Sequence, residues 1–299
     1  MPASNATTAV PKQEVWLQRV SVPDPTAGPP QVGDANHASL SADGRFVAFD
    51  SGSSTIVPGD TNGYSDVFVR DMATGSTQRV SVGNEGEQIT GGGSWTPSIS
   101  ADGRYVAFAS DASNVLPGDL GGNIYVRDTL LGTTQKVSVG LGGVAANGGS
   151  YHPSISADGR YVAFDSNARN LVANYPVYSL TSVFVYDRVT NTTQWVSKRI
   201  GAGEQVNAAN PSIDADGRYV AFDGMPQIVP GGNGFRAVRC TCTTAKRTPL
   251  SGRASRRVRS SRRRVNVRPS RATVAPWCST RAGALVRGRT ARTCSRSTA

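Results

Sequence analysis

The first 234 residues of this chain of 299 residues contain no cysteine. They therefore give no information on the redox compartment. All four cysteines follow that point, at Cys240, Cys242, Cys278 and Cys294. The Cys240-x-Cys242 pair has no second pair and no histidine at ligand spacing, which argues against a zinc site. No apolar run is long enough to span a membrane, and Met1–Glu14 lacks the apolar centre of a secretory signal. We expect the start of the chain to be truncated or misassigned.

Signals of catalysis are also sparse. The chain has only two histidines, His37 and His152, and each precedes a repeated Asp by six residues. Thr96 and Asn210 take the matching places in the other two repeats. A histidine that is present in only two of four repeats is more typical of a residue at the start of a strand than of a catalytic base. No G-x-S-x-G nucleophile motif occurs, and the repeated Asp residues fit a turn better than a pair of catalytic carboxylates. The sequence therefore predicts a protein without enzymatic activity.

One phrase returns four times. It reads S-L-S-A-D-G-R-F-V-A-F at Ser39–Phe49, and close copies span Ser98–Phe108, Ser154–Phe164 and Ser212–Phe222. The Asp of each copy follows the previous one by 59, 56 and 58 residues. A regular period of this size indicates stacked supersecondary units.

Each repeat contains four short runs that favour β-strands. In the first, Ser39–Ser41 and Phe46–Phe49 flank an Asp-Gly pair, which is a strong hairpin signal, and further runs follow at Asp66–Arg70 and Thr77–Val82. Phe46–Phe49 is apolar on both faces, which predicts a strand covered on both sides. No helical periodicity appears between residues 38 and 222. Four antiparallel strands in hairpin order predict one blade of an all-β β-propeller.

The connections predict two unequal faces. The first and third connections of a repeat are tight turns, whereas the loop at residues 50–65 and the loop to the next blade at residues 83–96 are long. In an up-and-down blade the two long loops emerge at the same end. We expect binding at that elaborated end, because loops carried by a rigid scaffold hold most binding residues.

The motifs S-x-D-G-R-x-V-A-F, D-V-F-V-R-D and T-G-x-T-x-R-V-S-V, recurring in this order, resemble the TolB-like β-propeller repeat, a relative of WD-type repeats. The resemblance covers roughly residues 15–230. It implies a propeller outside the cytoplasm that works by binding, with no catalytic residue in the propeller itself. Propellers of this kind normally have six or more blades. This chain has about four, since Glu14–Val22 is predicted to be a fourth strand without its first three, so we expect a truncated larger ring.

The composition changes after Gly234. Residues 1–234 hold all 21 Asp and Glu residues, whereas residues 235–299 hold 18 of the 32 Lys and Arg residues and no acid. We expect a disordered N-terminal segment at residues 1–14, propeller repeats at residues 15–234 and a basic tail at residues 235–299. Such a tail buries too little apolar surface to fold, and it would bind nucleic acid without sequence preference.

The tail also permits propeller motifs in another reading frame. Shifted codons of residues 238–249 permit A-V-Y-V-H-D-R-E-T-N-T, against S-V-F-V-Y-D-R-V-T-N-T at Ser182–Thr192. Shifted codons of residues 268–279 permit P-L-S-G-D-G-R-T-V-V-F, a further copy of the repeated phrase. The sequence thus predicts that the tail is a frameshift product, caused by one extra nucleotide near codons 231–236.

One loop has the composition of a cation site. Asp60, Asn62 and Asp66 place three oxygen ligands around a Gly turn, which is the chemistry that calcium prefers, although the spacing is not that of an EF-hand. The later repeats lose these ligands. The alternative is a loop stabilised by Asx turns, and we favour it. No other cofactor is expected.

Three functions remain open. The first is a non-catalytic propeller that binds a protein or a cell-envelope polymer through its long-loop face. The second is an accessory propeller of a larger hydrolase or peptidase whose catalytic part follows the frameshift. The third is a nucleic-acid-binding arm formed by the tail. We rank them in this order.

Overall fold

The computed structural model describes residues 17–29, 33–176, 180–198 and 207–224, and the backbone of Thr243 and Thr244. These residues form a partial β-propeller of about four blades. Three blades are four-stranded antiparallel sheets with the strands in chain order, and the fourth sheet has three strands. Within the described ranges the only helical element is a single 3₁₀ turn at Leu141–Gly143, which confirms the predicted all-β fold.

The strand bounds follow the repeat. Blade 1 consists of β1 (Ala35–Leu40), β2 (Phe46–Ser51), β3 (Asp66–Asp71) and β4 (Thr77–Arg79). Blade 2 consists of β5 (Ser94–Ile99), β6 (Tyr105–Ser110), β7 (Asn123–Asp128) and β8 (Thr133–Lys136). Blade 3 consists of β9 (Ser150–Ile155), β10 (Tyr161–Ser166), β11 (Ser182–Asp187) and β12 (Thr192–Trp195). Blade 4 has β13 (Ala208–Ile213), β14 (Tyr219–Gly224) and a two-residue β15 (Thr243–Thr244).

Two sequence-based strand predictions are corrected. The first strand of blade 1 begins at Ala35 and not at Ser39, because a β-bulge between Asn36 and Ser39 interrupts its alternating pattern. Leu17–Val22 is not a strand, so the predicted strand at Glu14–Val22 is wrong for its described part. Instead of pairing with a third strand, Val20 packs against the buried side chains of a blade 1 cluster. The rest of the predicted N-terminal segment and nearly all of the tail, including the predicted frameshift, lie outside the described residues.

The hydrophobic core lies between blades. Ala48, Val67 and Val69 of blade 1 pack against Val106 and Phe108 of blade 2 in one buried cluster. Equivalent clusters join blade 2 to blade 3 and blade 3 to blade 4. The predicted burial of the second strand on both faces is confirmed, since each interior blade is covered by a neighbour on either side.

The repeated Asp-Gly-Arg-aromatic motif locks each blade to the next. Arg104 donates to both carboxylate oxygens of Asp128, at 2.9 and 2.7 Å, and its guanidinium carbon lies 4.8 Å from the centroid of the Tyr105 ring. That ring rests on the turn of the next blade, where a Cβ added to Gly159 would lie 2.6 Å from Tyr105 Cγ. The same contact joins Phe46 to Gly103 and Tyr161 to Gly217. The aromatic residue of one blade thus fills a socket that only a glycine leaves open.

The topology separates two ends of the blades, as predicted. Tight turns at residues 41–45 and 72–76 lie at one end of blade 1, and the loops at residues 52–65 and 80–93 lie at the other. Blades 2 and 3 repeat this arrangement. We refer to the end with the long connections as the long-loop face and to the opposite end as the turn face. First strands of neighbouring blades contact one another, so they lie on the inner side of the arc.

Candidate functional site

The long-loop face is held by hydrogen bonds between its loops. In blade 1, Gln88 of the interblade loop accepts a hydrogen bond from Thr61 Oγ1 at 2.9 Å and donates one to Asp60 at 2.9 Å. Asn62 Nδ2 donates to the carbonyl oxygen of Ile89 at 3.0 Å. The loop inside the blade and the loop that leaves the blade are therefore joined by hydrogen bonds into one unit.

In blade 3 the loop inside the blade is instead joined to the loop that enters the blade from blade 2. Asn147 Oδ1 accepts a hydrogen bond from the backbone amide of Arg169 at 2.7 Å. The backbone amide of Asn147 donates to Asn170 Oδ1 at 3.0 Å. Asn170 Nδ2 also donates to the carbonyl oxygen of Ala145 at 2.8 Å. Short amide side chains thus replace secondary structure in these loops and satisfy their backbone groups.

The predicted cation ligands Asp60, Asn62 and Asp66 do lie together. Asn62 Nδ2 donates to Asp66 Oδ2 at 3.0 Å, and Ser81 Oγ donates to the other oxygen of Asp66 at 2.6 Å. Arg79 Nη1 lies 3.3 Å from Asp60 Oδ1 and 3.4 Å from Asp66 Oδ2. A guanidinium of the chain itself therefore lies beside both carboxylates and balances one of their two negative charges.

The amide of Tyr64 donates to Asn62 Oδ1 at 2.8 Å, which is the Asx turn of the alternative interpretation. The cluster nevertheless keeps an excess of negative charge, with two carboxylates for one cation. Burial raises the pKa of Asp66, and burial together with the charge of Asp66 raises the pKa of Asp60. In the described part of the chain no three His, Cys, Asp or Glu side chains gather in a group that could hold a metal. Calcium binding by Asp60, Asn62 and Asp66 stays a prediction, with Arg79 as the competing cation.

The positions equivalent to Asp60 and Arg79 in blades 2 and 3 show which contacts hold this loop. In blade 2, Lys136 takes the position of Arg79 and lies 2.6 Å from Asp119, which also accepts a hydrogen bond from Tyr125 at 2.8 Å. In blade 3 the position of the cation is taken by Trp195, whose ring meets Tyr175 edge to face at a centroid distance of 4.9 Å. The position therefore holds either an internal ion pair or an aromatic pair, so it fastens the loop to the end of the fourth strand.

A second set of polar residues lies at the beginning of the inner strands. One residue in each of β1, β5, β9 and β13 has a positive φ between 46° and 53°, although none of them is glycine. These bulge residues are His37, Thr96, His152 and Asn210. Three of them are followed by a proline, namely Pro97, Pro153 and Pro211. The register shift at these positions leaves the proline outside the ladder of backbone hydrogen bonds. A left-handed conformation at the same position in every blade is a strained feature that the fold maintains.

Two of the bulge residues are histidines held by buried carboxylates. His152 Nδ1 donates to Asp165 Oδ1 at 2.8 Å, since an ionised carboxylate only accepts, and the same oxygen accepts the amide of Asn210 in the next blade at 3.1 Å. The hydrogen bond to Asp165 raises the pKa of His152 above its usual value, although partial burial opposes it. His37, Asp50 and the amide of Thr96 repeat this arrangement between blades 1 and 2. The carboxylate therefore joins adjacent blades and orients a half-exposed imidazole.

These pairs are not evident from the sequence of a single repeat. Each histidine precedes its carboxylate by 13 residues, and the carboxylate follows the V-A-F end of the repeated phrase. Blade 2 has Ala109 at that place, and its bulge residue Thr96 has a hydroxyl that is buried without a hydrogen-bond partner. A comparison of the repeats column by column would have shown that histidine occurs only where the aspartate does.

The long-loop face also exposes apolar side chains. Leu120 has 81% of its surface exposed, and five further apolar residues on this side have more than a third exposed. They are Tyr64, Leu141, Val144, Tyr151 and Leu180. The turn face exposes Leu130, Leu131 and Val189. Exposed apolar residues on ordered loops are typical of an interaction surface.

No protein-family model and no curated protein matches the chain. TolB from Acinetobacter baumannii is similar in structure, with 16% identity and a TM-score of 0.40, over 63% of this chain and 37% of that protein. Dipeptidyl peptidase 4 from Porphyromonas gingivalis shares 16% identity with a TM-score of 0.40, over 66% of this chain and 29% of the peptidase. An oligogalacturonate lyase in complex with manganese shares 12% identity with a TM-score of 0.40, over 68% of this chain and 52% of the lyase. The chain spans less than two thirds of the length of each of these proteins.

Nothing in the described ranges forms a helix that could cross a membrane.

Proposed function

We propose that this chain is a non-catalytic binding module that recognises a protein or a cell-envelope polymer through its long-loop face. The observation that carries the proposal is the combination of exposed apolar side chains with loops that are already ordered by hydrogen bonds. An ordered surface loses little conformational entropy when it binds, so a small number of apolar contacts is enough for specific recognition.

The inner rim of this face adds polar recognition. The half-exposed imidazoles of His37 and His152 have one ring nitrogen committed to a buried carboxylate, which fixes the orientation of each ring. Tyr151 lies beside His152, with a ring centroid distance of 6.4 Å. Aromatic and imidazole groups with fixed orientation at the rim of an apolar surface are suited to a ligand with hydrogen-bonding groups.

The TolB-like repeats imply an extracytoplasmic location, and we propose that the ligand is found there. The alternative of an accessory propeller in a larger hydrolase requires a catalytic domain in the corrected reading frame, and it stays a prediction.

The experiment compares two matched variants of the full chain. One carries Leu120→Ser, Leu141→Ser and Val144→Ser on the long-loop face, and the other carries Leu130→Ser, Leu131→Ser and Val189→Ser on the turn face. Each is mixed with isolated cell envelopes of the source organism and sedimented in about 0.3 M salt, where charges more than roughly 6 Å apart are screened and the basic tail contributes little.

We expect saturable binding of the unmodified chain, a loss of at least tenfold in affinity for the long-loop variant, and no change for the turn-face variant. Protease treatment of the envelopes then separates a protein ligand from a polymer. Equal binding by both variants would show that the long-loop face is not the binding surface.

A further inference from the structure

We propose that Asn147 is a site of spontaneous deamidation, where the chain converts its own asparagine into a mixture of aspartate and isoaspartate. Asn147 precedes Gly148 in the loop that enters blade 3, and it is exposed. The same dipeptide occurs at Asn62-Gly63, in the loop inside blade 1. The two asparagines differ in their hydrogen bonds, so one serves as the control for the other.

The reaction needs no enzyme and no reagent besides water. The backbone nitrogen of Gly148 attacks Cγ of Asn147, and the new C–N bond closes a succinimide ring. The amide proton of Gly148 passes to the departing side-chain nitrogen, and the bond between Cγ and Nδ2 breaks with release of ammonia. Water then opens the ring at either carbonyl. Glycine favours the attack because it has no Cβ to obstruct the approach of its backbone nitrogen.

The attacking nitrogen is available at Asn147. The backbone amide of Gly148 donates to no described acceptor, whereas the backbone is held on both sides of it. The amide of Asn147 donates to Asn170 Oδ1 at 3.0 Å, and the amide of Ser150 donates to the carbonyl oxygen of Gly122 at 2.9 Å. The reacting nitrogen therefore breaks no hydrogen bond when it attacks.

The side-chain oxygen of Asn147 already faces a hydrogen-bond donor. The backbone amide of Arg169 donates to Asn147 Oδ1 at 2.7 Å. Negative charge develops on this oxygen as Gly148 attacks, and a donor that is already in position stabilises that charge. At Asn62 the backbone amide of Tyr64 donates to Oδ1 at 2.8 Å, so the two sites do not differ in this respect.

The side-chain nitrogen distinguishes the two sites. Asn62 Nδ2 donates to Asp66 Oδ2 and to the carbonyl oxygen of Ile89, both at 3.0 Å, which occupies both of its hydrogens. The amide of Asn62 cannot rotate or lose its nitrogen without breaking these bonds. Asn147 Nδ2 donates to no described residue. We therefore expect Asn147 to deamidate and Asn62 to be protected.

The products change the long-loop face. Aspartate at position 147 places a negative charge beside the backbone amide of Arg169. Isoaspartate adds a CH₂ group to the main chain, so the bonds to Arg169 and Asn170 cannot both keep their geometry. These two bonds join the loop that carries Leu141 and Val144 to the loop inside blade 3. The modification therefore loosens part of the surface that we propose to bind a ligand.

The test follows both asparagines in one sample of the full chain, kept at physiological temperature and mildly alkaline pH. Trypsin separates them, because residues 137–160 and residues 46–70 form two peptides with one asparagine each. Mass spectrometry detects the replacement of the amide by a carboxyl, and liquid chromatography separates isoaspartate from aspartate. A second sample in concentrated urea gives the rates in the unfolded chain. The variant Asn147→Gln is the matched control, because glutamine keeps the amide but closes the ring much more slowly.

The rate at each asparagine is divided by its rate in urea. We expect the ratio to be at least about tenfold higher for Asn147 than for Asn62, since a factor of ten corresponds to about 1.4 kcal/mol and two hydrogen bonds have to break at Asn62. Asn147→Gln should leave the peptide of residues 137–160 unmodified. Equal ratios or a higher ratio for Asn62 would overturn the proposal. An Asn147 that stays intact in the folded chain for as long as it takes to convert in urea would overturn it as well.

Discussion

Replacing Gly159 with alanine should destabilise the propeller far more than replacing Gly44, although the two glycines occupy the same place in the repeat. Both have a φ of +72° and both follow the repeated Asp. They differ in surroundings, because a Cβ at Gly159 would lie 2.2 Å from Cδ2 of Tyr105, whereas a Cβ at Gly44 would meet nothing within 4 Å. Gly44→Ala is therefore a matched control for backbone strain alone.

The magnitude follows from two contributions. A non-glycine residue in the left-handed region costs about 1–2 kcal/mol, and this applies to both variants. Carbon atoms pack at about 3.5–4.0 Å, so the Tyr105 ring has to move by more than 1 Å to admit the new Cβ at Gly159. Overpacking of this kind costs about 1–3 kcal/mol more. We expect a loss of about 1–2 kcal/mol for Gly44→Ala and of about 2–5 kcal/mol for Gly159→Ala.

The measurement is the free energy of unfolding from urea denaturation, followed by circular dichroism. The double variant Gly159→Ala, Tyr105→Ala provides a second criterion. Without the ring the new Cβ has room, so the double variant should lose about 1–3 kcal/mol less than the sum of the single variants. If the two glycine variants lose the same free energy within about 0.5 kcal/mol, or if the double variant is additive, the ring does not hold the blades together as described.

Two further predictions concern charged groups. Arg79→Met leaves the carboxylates of Asp60 and Asp66 without their cation and should cost about 3–5 kcal/mol at pH 7. Because burial raises the pKa of both carboxyls in the folded state, their protonated forms favour folding below pH 3.8 and this contribution is lost as pH rises through the raised values. The free energy of unfolding that Arg79→Met loses, measured by urea denaturation, should therefore be smaller at pH 5 than at pH 8. An equal loss at both pH values would contradict the charge argument. Added calcium should restore the stability of the variant only if the oxygens of Asp60 and Asp66 bind it. His152 should titrate above 6.5 in proton NMR, and Asp165→Asn should lower its midpoint, since the carboxylate stabilises the imidazolium. This contribution to folding is complete below pH 6.5 and is lost as pH rises through the raised value, and an unchanged midpoint in the Asp165→Asn variant would refute the coupling.

Sequence reasoning predicted the blades because the signals of a blade are local. An Asp-Gly turn between two β-rich runs determines a hairpin from a few adjacent residues, and the burial of Val47, Ala48 and Phe49 follows from their apolar character on both faces. The strand expected at Glu14–Val22 failed for Leu17–Val22, because a strand also needs an edge to pair with, and edge availability is not a local property.

The candidate site was harder to predict, since its contacts join distant parts of the chain. Asp60, Asn62 and Asp66 were recognised as a group of oxygen donors, but their principal partner, Arg79, belongs to the fourth strand. The pairing of His152 with Asp165 depends on a bulge that turns the histidine back towards the second strand of its own blade. Neither partner could be identified from spacing in a single repeat.

The contact between Tyr105 and Gly159 has a direction: at each of the three described junctions a blade inserts a ring into the turn of the following blade. This contact is therefore the same at the three junctions, although the carboxylate bridge of Asp50 and Asp165 is absent between blades 2 and 3. A gene duplication or deletion of one period, 56 to 59 codons in this chain, would change the number of blades without requiring a new interface. The differences in period fall in the loops, so the surface that varies most from blade to blade is not the one that joins them.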